Sequence, residues 1–143
     1  ERPTRAHRRL VINRLLQSVD SLRTLSAHPN ILLMGDFNDY STDENIRQLT
    51  DHGIVDVSQH AVGTHGAKGT YRFRGEWGSL DHIMVDEHTA QRLVECHVHD
   101  APFLLKDDEK YGGVQPRRNY LGPRYQNGFS DHLPLVVRLR WDD

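Results

Sequence analysis

The feature that most constrains the fold is a four-residue apolar run, residues 31–34 (ILLM), which ends directly in the polar stretch GDFN. A continuous apolar run of this length is typical of a buried β-strand. Two later stretches, SLDHIMV (79–85) and SDHLPLVVRL (130–139), also join a strand-like apolar pattern to acidic residues. The sequence therefore predicts three strands with polar side chains at their ends.

Two further patterns predict helices. Residues 4–27 carry one apolar stripe at helical spacing, made of Val11, Leu15, Val19 and Leu22. Residues 41–53 form a second helical pattern, in which Ser41 and Glu44 have the spacing of a capping box. Both helices have one apolar side with which to cover a sheet.

Strands outnumber helices in the rest of the chain. GTYRFRG (69–75) alternates aromatic and basic residues, which predicts a half-buried strand, and LVECHVHD (93–100) predicts another. The fold class is therefore α/β (α+β), with helices packed on a mixed β-sheet. The chain of 143 residues suits a single domain, 1–143, that is large enough to bury a core.

Composition argues against several classes of function. The net charge of -2 does not support a generally basic surface for nucleic acid. The single cysteine, Cys96, excludes an intrachain disulfide and argues against a cysteine-based zinc site. No apolar run approaches the length of a membrane span. The compartment stays open.

One long segment, residues 101–128, is polar and rich in glycine and proline, which predicts a loop. Arg117, Arg118 and Tyr125 lie in it shortly before the SDHLP stretch. They are candidates for a rim that binds the phosphate or sugar of a substrate. An equally good interpretation is that the tyrosines of this segment pack the loop against the domain.

The polar residues at the strand ends are those that phosphodiester hydrolysis needs, namely a base for water, ligands for a divalent cation and donors to the developing charge. Asp36 is a candidate base, and Asn38, two residues on, would point the same way and orient water or phosphate. Asp131 is a candidate Mg²⁺ ligand. His132 would donate to a phosphate oxygen if a carboxylate fixed its tautomer and kept it protonated, and Asp81 is a candidate for that carboxylate.

Each stretch alone also has a simpler explanation. An Asp-x-Asn after a strand is typical of an Asx turn, and an Asp-His pair at the start of a strand is common at turns. His82 follows Asp81 and should point to the opposite face of its strand, where a structural role is expected.

Together and in this order, GDFN, SLDHI and SDHLP resemble the motifs of the endonuclease/exonuclease/phosphatase superfamily, the Mg²⁺-dependent fold of deoxyribonuclease I. GTYRFRGEWGSLDHI also resembles a bacterial branch of this superfamily. The resemblance implies that Asp36, Asn38, Asp81 and His132 are catalytic. It also implies that Asp131, with Asp36 and Asn38, lies at a Mg²⁺ (or Mn²⁺) ion.

The resemblance further implies half of a four-layer α/β/β/α sandwich. The motifs of the family's first half, including a metal-binding Glu and a catalytic His, are not found in the sequence. The chain thus resembles the C-terminal half of a hydrolase of phosphate esters, such as nucleic acid, phospholipid or sugar phosphates. We expect the isolated fragment to be inactive, to pair with an N-terminal half, and to self-associate through an exposed sheet. The alternative is a catalytically silent module of the same fold that binds a phosphorylated ligand or a protein.

Overall fold

The structure, a computed structural model, describes residues 4–142. The elements along the chain are α1 (Arg5–Leu25), β1 (Leu32–Asp36), α2 (Glu44–Thr50), β2 (Ile54–Asp56), β3 (Tyr71–Phe73), β4 (Glu76–Gly78), β5 (Asp81–Asp86), α3 (Glu87–Ala90), β6 (Leu93–Val98), a 3₁₀ helix (Pro102–Leu104), β7 (Leu105–Asp107), β8 (Val114–Pro116), β9 (Tyr120–Leu121), β10 (Arg124–Tyr125) and β11 (Leu135–Leu139). None of the helices in this part of the chain has the length and apolarity needed to cross a membrane.

The strands form one three-stranded sheet in the order β1-β5-β2 and four two-stranded pairs, β3–β4, β6–β11, β7–β8 and β9–β10. The predicted α/β (α+β) class is confirmed. Every strand pair described between residues 4 and 142 is antiparallel, however, so the sheet is not mixed as the sequence suggested. The alternation of side chains along a strand carries no information on the direction of its neighbour.

Two apolar clusters hold these elements together. The first joins α1 and α2 to one face of the β1-β5-β2 sheet, and its buried members are Ile12, Val19, Ile31, Ile46, Leu49, Ile54 and Met84. The second lies at the β6–β11 pair, and its buried members are Ala61, Ala67, Val98 and Leu133. The functional motifs are therefore supported by two packed regions.

The helices differ from the sequence prediction in detail. In α1, Val19 is buried as expected, but Val11 and Leu22 are about half exposed and Ile12 is buried beside them. The buried side is therefore narrower than the apolar stripe. Helix α2 begins after Asp43, not at the Ser41 capping box, and the Asp43 carboxylate accepts the backbone N–H of Tyr40 at 2.7 Å.

Strand β1 is exposed where the sequence predicted a buried strand. It lies at an edge of its sheet, and Met34 is 67% exposed whereas its cross-strand neighbour Ile83 is buried. Leu32 and Val55 pair with Val85 from either side and are also exposed. Because cross-strand neighbours share a face, Leu32, Met34 and Val55 form one exposed apolar group, called the β1 patch below.

The segment 101–128 is more ordered than the predicted loop, since it contains a 3₁₀ helix and four short strands. Arg72 of β3 is buried and fastens the segment to the domain. Its guanidinium donates to the carbonyls of Gly112 and Val114 and lies 3.2 Å from Asp108. Backbone N–H groups of Tyr111 and Lys110, together with the Arg72 charge, hold the pKa of Asp108 below its usual range.

The first apolar cluster should dominate stability. Leu49→Ala is expected to lower the free energy of unfolding by about 2–5 kcal/mol, because it leaves a cavity between α2 and the sheet. Leu25→Ala, at an 83% exposed position of α1, is the matched control and should change it by about 0.5 kcal/mol or less. Urea unfolding measures both, and equal effects would contradict this packing.

Candidate active site

Three of the predicted site residues converge at one end of the β1–β5 pair. The antiparallel register pairs Asp36, the last residue of β1, with Asp81, the first residue of β5. His132, which lies just before β11, completes the group. One ligand atom from each of Asp36, Asp81 and His132 lies within 4.8 Å of the other two. Residues far apart in sequence are thus brought to the same corner of the sheet.

Asp81 and His132 are in direct contact. The Nδ1 atom of His132 lies 2.7 Å from Oδ2 of Asp81. A carboxylate only accepts hydrogen bonds, so Nδ1 is the donor, and no hydrogen bond to Nε2 is found among residues 4–142. The Tyr71 ring lies 5.0 Å from the His132 ring, and the two residues also form an isolated antiparallel bridge. The imidazole is therefore held both at one edge and over one face.

Asp36 and Asn38 are joined by a tight turn. The backbone N–H of Asn38 donates to Oδ1 of Asp36 at 2.8 Å, and Asn38 has a φ of +52°. Asparagine tolerates this left-handed conformation better than most residues. This is the Asx turn that the Asp-x-Asn pattern alone allowed as a simpler explanation. In the described part of the chain, no donor to the other oxygen of Asp36 is found, and both side chains are exposed.

The opposite face of β5 supports the same turn through His82, which is buried. Its Nδ1 lies 2.8 Å from Oδ2 of Asp56, and its Nε2 lies 2.7 Å from the carbonyl oxygen of Asp39. Both neighbours are acceptors, so both ring nitrogens donate and the ring is an imidazolium. The bond to Asp39 fixes the backbone next to Asn38.

The hydrogen bonds shift the pKa values of both His82 and Asp56 toward the charged form of each group. Burial alone would lower the pKa of His82, but the hydrogen bonds to Asp56 and to the Asp39 carbonyl outweigh it and the pKa is raised. Burial alone would raise the pKa of Asp56, but the hydrogen bonds from His82 and Ser58 outweigh it and the pKa is lowered. Both shifts favour the charged form of the group concerned.

The remaining predicted residues lie outside the three-residue group. Asp131 is exposed beside His132 and is not one of its members. Arg118 turns one guanidinium nitrogen toward the Arg72 carbonyl at 3.3 Å, while Arg117 is exposed. Tyr125 is 63% exposed, and its hydroxyl is 3.3 Å from Asn127. The roles of these residues toward metal and substrate stay predictions.

The donors at this corner fit a hard divalent cation. Mg²⁺ prefers oxygen ligands and takes one or two carboxylates together with waters. Asp36 offers a carboxylate oxygen to which no residue between 4 and 142 donates a hydrogen bond, and Asn38, two residues on, is exposed and offers an amide oxygen. Asp81 is less available, because its Oδ2 already accepts from Thr70 at 2.6 Å and from His132. These donors therefore fit a divalent cation bound by Asp36 and Asn38 rather than by Asp81.

Sequence reasoning missed three neighbours of the site. Thr70 and Tyr71 lie in the GTYRFRG stretch, which predicted a half-buried strand and contributed to the resemblance but did not point to a role at the site. Asp56 ends a three-residue strand that the sequence did not predict. No local pattern marks these residues as partners of Asp81, His132 or His82. They are recognised only once β3 and β2 are placed.

The fold and this corner define an α+β protein with a carboxylate–histidine group open to solvent. Comparison with known proteins agrees with this description. The family model "Endonuclease/Exonuclease/phosphatase family" matches residues 1–141. The chain belongs to the endonuclease/exonuclease/phosphatase family. No curated protein matches it significantly.

A solved structure with the same fold is the crystal structure of an endonuclease/exonuclease/phosphatase family protein from Bacteroides thetaiotaomicron. The two are 18% identical, with a TM-score of 0.60. The match covers 96% of this chain and 46% of that one. The chain thus spans about half the length of this relative.

The His82–Asp56 pair should make stability depend on pH. Because the pKa of His82 is raised on folding, its contribution is complete below about pH 6.5 and is lost as pH rises through the raised value. The lowered pKa of Asp56 gives a contribution that is present above about pH 4 and lost as pH falls through the lowered value. Asp56→Asn should reduce the loss of folding stability at alkaline pH. It should also lower the free energy of unfolding by about 3 kcal/mol at pH 6, because it leaves the charge of a buried imidazolium unpaired.

Urea unfolding of wild type and variant between pH 5 and pH 9, at roughly unit steps, measures this dependence. Glu95→Gln is the matched control, since Glu95 lies 3.8 Å from His97 in a partly exposed pair. That variant should change the free energy of unfolding by about 0.5 kcal/mol or less. An unchanged pH profile in Asp56→Asn would contradict the assignment.

Proposed function

We propose that this chain carries part of the active site of a Mg²⁺-dependent hydrolase of phosphate esters. The observation that supports it best is the convergence of Asp36, Asp81 and His132 to within 4.8 Å, with Asp81 bonded to His132 at 2.7 Å. Family membership supports the same class of reaction. The reaction is an in-line attack by water on phosphorus, without a covalent enzyme intermediate.

Each residue has a distinct task in this proposal. Asp36 orients the attacking water and accepts its proton, and Asn38 hydrogen-bonds the water or a phosphate oxygen. Asp81 keeps Nδ1 of His132 protonated, so that the other edge of the ring faces the phosphate. In its imidazolium form, in which Nε2 also carries a proton, His132 would donate from Nε2 to the phosphoryl oxygens as negative charge develops on them.

The cation would be held by Asp36 and Asn38, with Asp131 beside them. A bound Mg²⁺ or Mn²⁺ would stabilise negative charge on the phosphoryl oxygens. Only one of these carboxylates, Asp36, belongs to the three-residue group, so the site has few charged ligands. We therefore propose that the 143-residue chain binds the cation weakly and hydrolyses phosphate esters little by itself.

Substrate binding is assigned to the segment that leads into Asp131. Arg117 and Arg118 would contact phosphate oxygens, and Tyr125 would contact the remainder of the ester. Nucleic acid, phospholipid and sugar phosphates all offer the required group. The segment contains exposed aromatic rings as well as charges, and Tyr120 and Tyr125 lie 5.5 Å apart.

The metal site is tested by Mn²⁺ titration of the ¹⁵N-labelled chain. Paramagnetic broadening should begin at the backbone amides of residues 36–38 and 131–132, with a dissociation constant on the order of 1 mM. Asp36→Asn should weaken binding by roughly tenfold, because it removes a charged ligand. Asp20→Asn, at an exposed position of α1, is the matched control and should leave binding unchanged.

Hydrolysis of DNA, phospholipid and inositol phosphates in Mg²⁺ completes this test. The chain should stay near the buffer background. Turnover by the chain that is lost in Asp36→Ala would contradict the proposed inactivity and support the assigned role. Broadening that is absent from residues 36–38 would favour a silent module of the same fold that binds a ligand or a protein without metal.

We also propose that the β1 patch makes the chain associate with itself. An exposed edge strand with an apolar face is a template for further pairing. Met34→Lys should shift the equilibrium toward monomer by at least about tenfold, because it places a charge within the patch. Leu121→Lys, on β9 and 50% exposed, is the control.

Light scattering over a range of chain concentrations measures this association. A mass that remains monomeric at high concentration in the wild-type chain would contradict it. Equal effects of the two variants would place the contact outside the β1 patch.

A further inference from the structure

Thr70 lies behind the Asp81–His132 pair and is fully buried. Its hydroxyl donates to Oδ2 of Asp81 at 2.6 Å. The same oxygen accepts the Nδ1–H of His132 at 2.7 Å. One carboxylate oxygen thus receives two donors, one from the site and one from the interior of the domain.

The backbone of Thr70 is fixed on both sides. Its N–H donates to the carbonyl of Gly78 at 3.1 Å, at the end of β4, and its carbonyl accepts the N–H of Leu133 at 2.8 Å. Gly69 comes so close to this strand that a Cβ there would lie 2.6 Å from the Gly78 carbonyl oxygen. Thr70 therefore links β4, the start of β5 and the segment that carries His132.

The hydrogen bond from Thr70 restrains the last torsion of the Asp81 side chain, about which the carboxylate would otherwise be free to rotate. A carboxylate with a single donor can turn about its last torsion and exchange its two oxygens. A second donor on a backbone that is itself fixed selects one oxygen and one orientation. The orientation of Asp81 then sets the tilt of the His132 ring, because charge-assisted hydrogen bonds are short and directional.

We propose that Thr70 is a positioning residue for the Asp81–His132 pair. It acts through Asp81 and does not touch the substrate. The part of this inference that concerns a phosphate before His132 rests on the proposed function. The part that concerns the orientation of the imidazole rests only on the contacts of Thr70.

Packing and positioning require different parts of the threonine side chain. Thr70→Val keeps the branched shape and removes the hydroxyl, whereas Thr70→Ser keeps the hydroxyl and removes the methyl group. A residue that only fills space should be replaced better by valine. A residue that positions Asp81 should be replaced better by serine, because the bond to the carboxylate survives.

The readout is the ring N–H signal of His132 in the ¹⁵N-labelled chain, without metal or substrate. His132→Gln identifies the signal. In wild type and Thr70→Ser, the Nδ1–H should appear far downfield and exchange slowly with water. In Thr70→Val, its exchange should be faster by roughly tenfold or more, since the Asp81 acceptor is no longer held in place.

Several outcomes would overturn the proposal. One is a His132 Nδ1–H signal in Thr70→Val that exchanges as slowly as in wild type. Another is a signal in Thr70→Ser that exchanges as fast as in Thr70→Val. If Thr70→Val does not fold, Thr70→Ala is compared with Thr70→Ser, since these two differ only in the hydroxyl. Equal exchange in that pair would likewise overturn it. Because no step requires turnover, a chain that proves not to be a hydrolase leaves this result interpretable.

Discussion

The antiparallel register of β1 on β5 is the constraint on which the site depends. It sets the end of one strand against the start of the other, so that Asp36 and Asp81 become direct neighbours. A slip of one residue would send the side chains of one strand to the opposite face. The register is held by the apolar cluster of α1, α2 and the sheet, in which Met84 of β5 is fully buried. Packing far from the site therefore determines its geometry.

The alternation of side chains along β5 gives its first two residues different tasks. Asp81 faces the open corner and holds His132, while His82 faces the interior and holds the backbone at Asp39. The neighbouring residues Asp81 and His82 thus stabilise the two sides of one corner. Thr70 adds a donor to the open side, and Asp56 adds a charge to the buried side. We infer that the rigidity of the corner comes from these buried supports.

Much of the site could be predicted from the sequence, because its motifs are local. GDFN, SLDHI and SDHLP each join a strand to polar residues, and their order identified the family. That Asp81 and His82 point to opposite faces of β5 followed from the two-residue repeat of a strand. The α+β class followed in the same way from the number and kind of short apolar patterns.

Other features depend on long-range packing and left no local signal. β1 looked like a buried strand, but it lies at a sheet edge with Met34 exposed. Arg72 alternates with aromatic residues as an exposed residue would, yet it is buried among the carbonyls of a distant segment. Thr70 acquires its role only when the residue before β3 reaches Asp81, and Asp56 acquires its role only when β2 pairs with β5. Asp131 lies outside the three-residue group, although its motif places it next to His132.

The most direct test of the account is an anomalous difference map from crystals of the chain soaked in Mn²⁺ and inorganic phosphate. The account predicts a manganese peak about 2.1–2.3 Å from the Asp36 carboxylate, and phosphate within hydrogen-bonding distance of Nε2 of His132. The Nδ1–Asp81 contact should be unchanged. A peak bound elsewhere, or an imidazole turned away from Asp81, would contradict it.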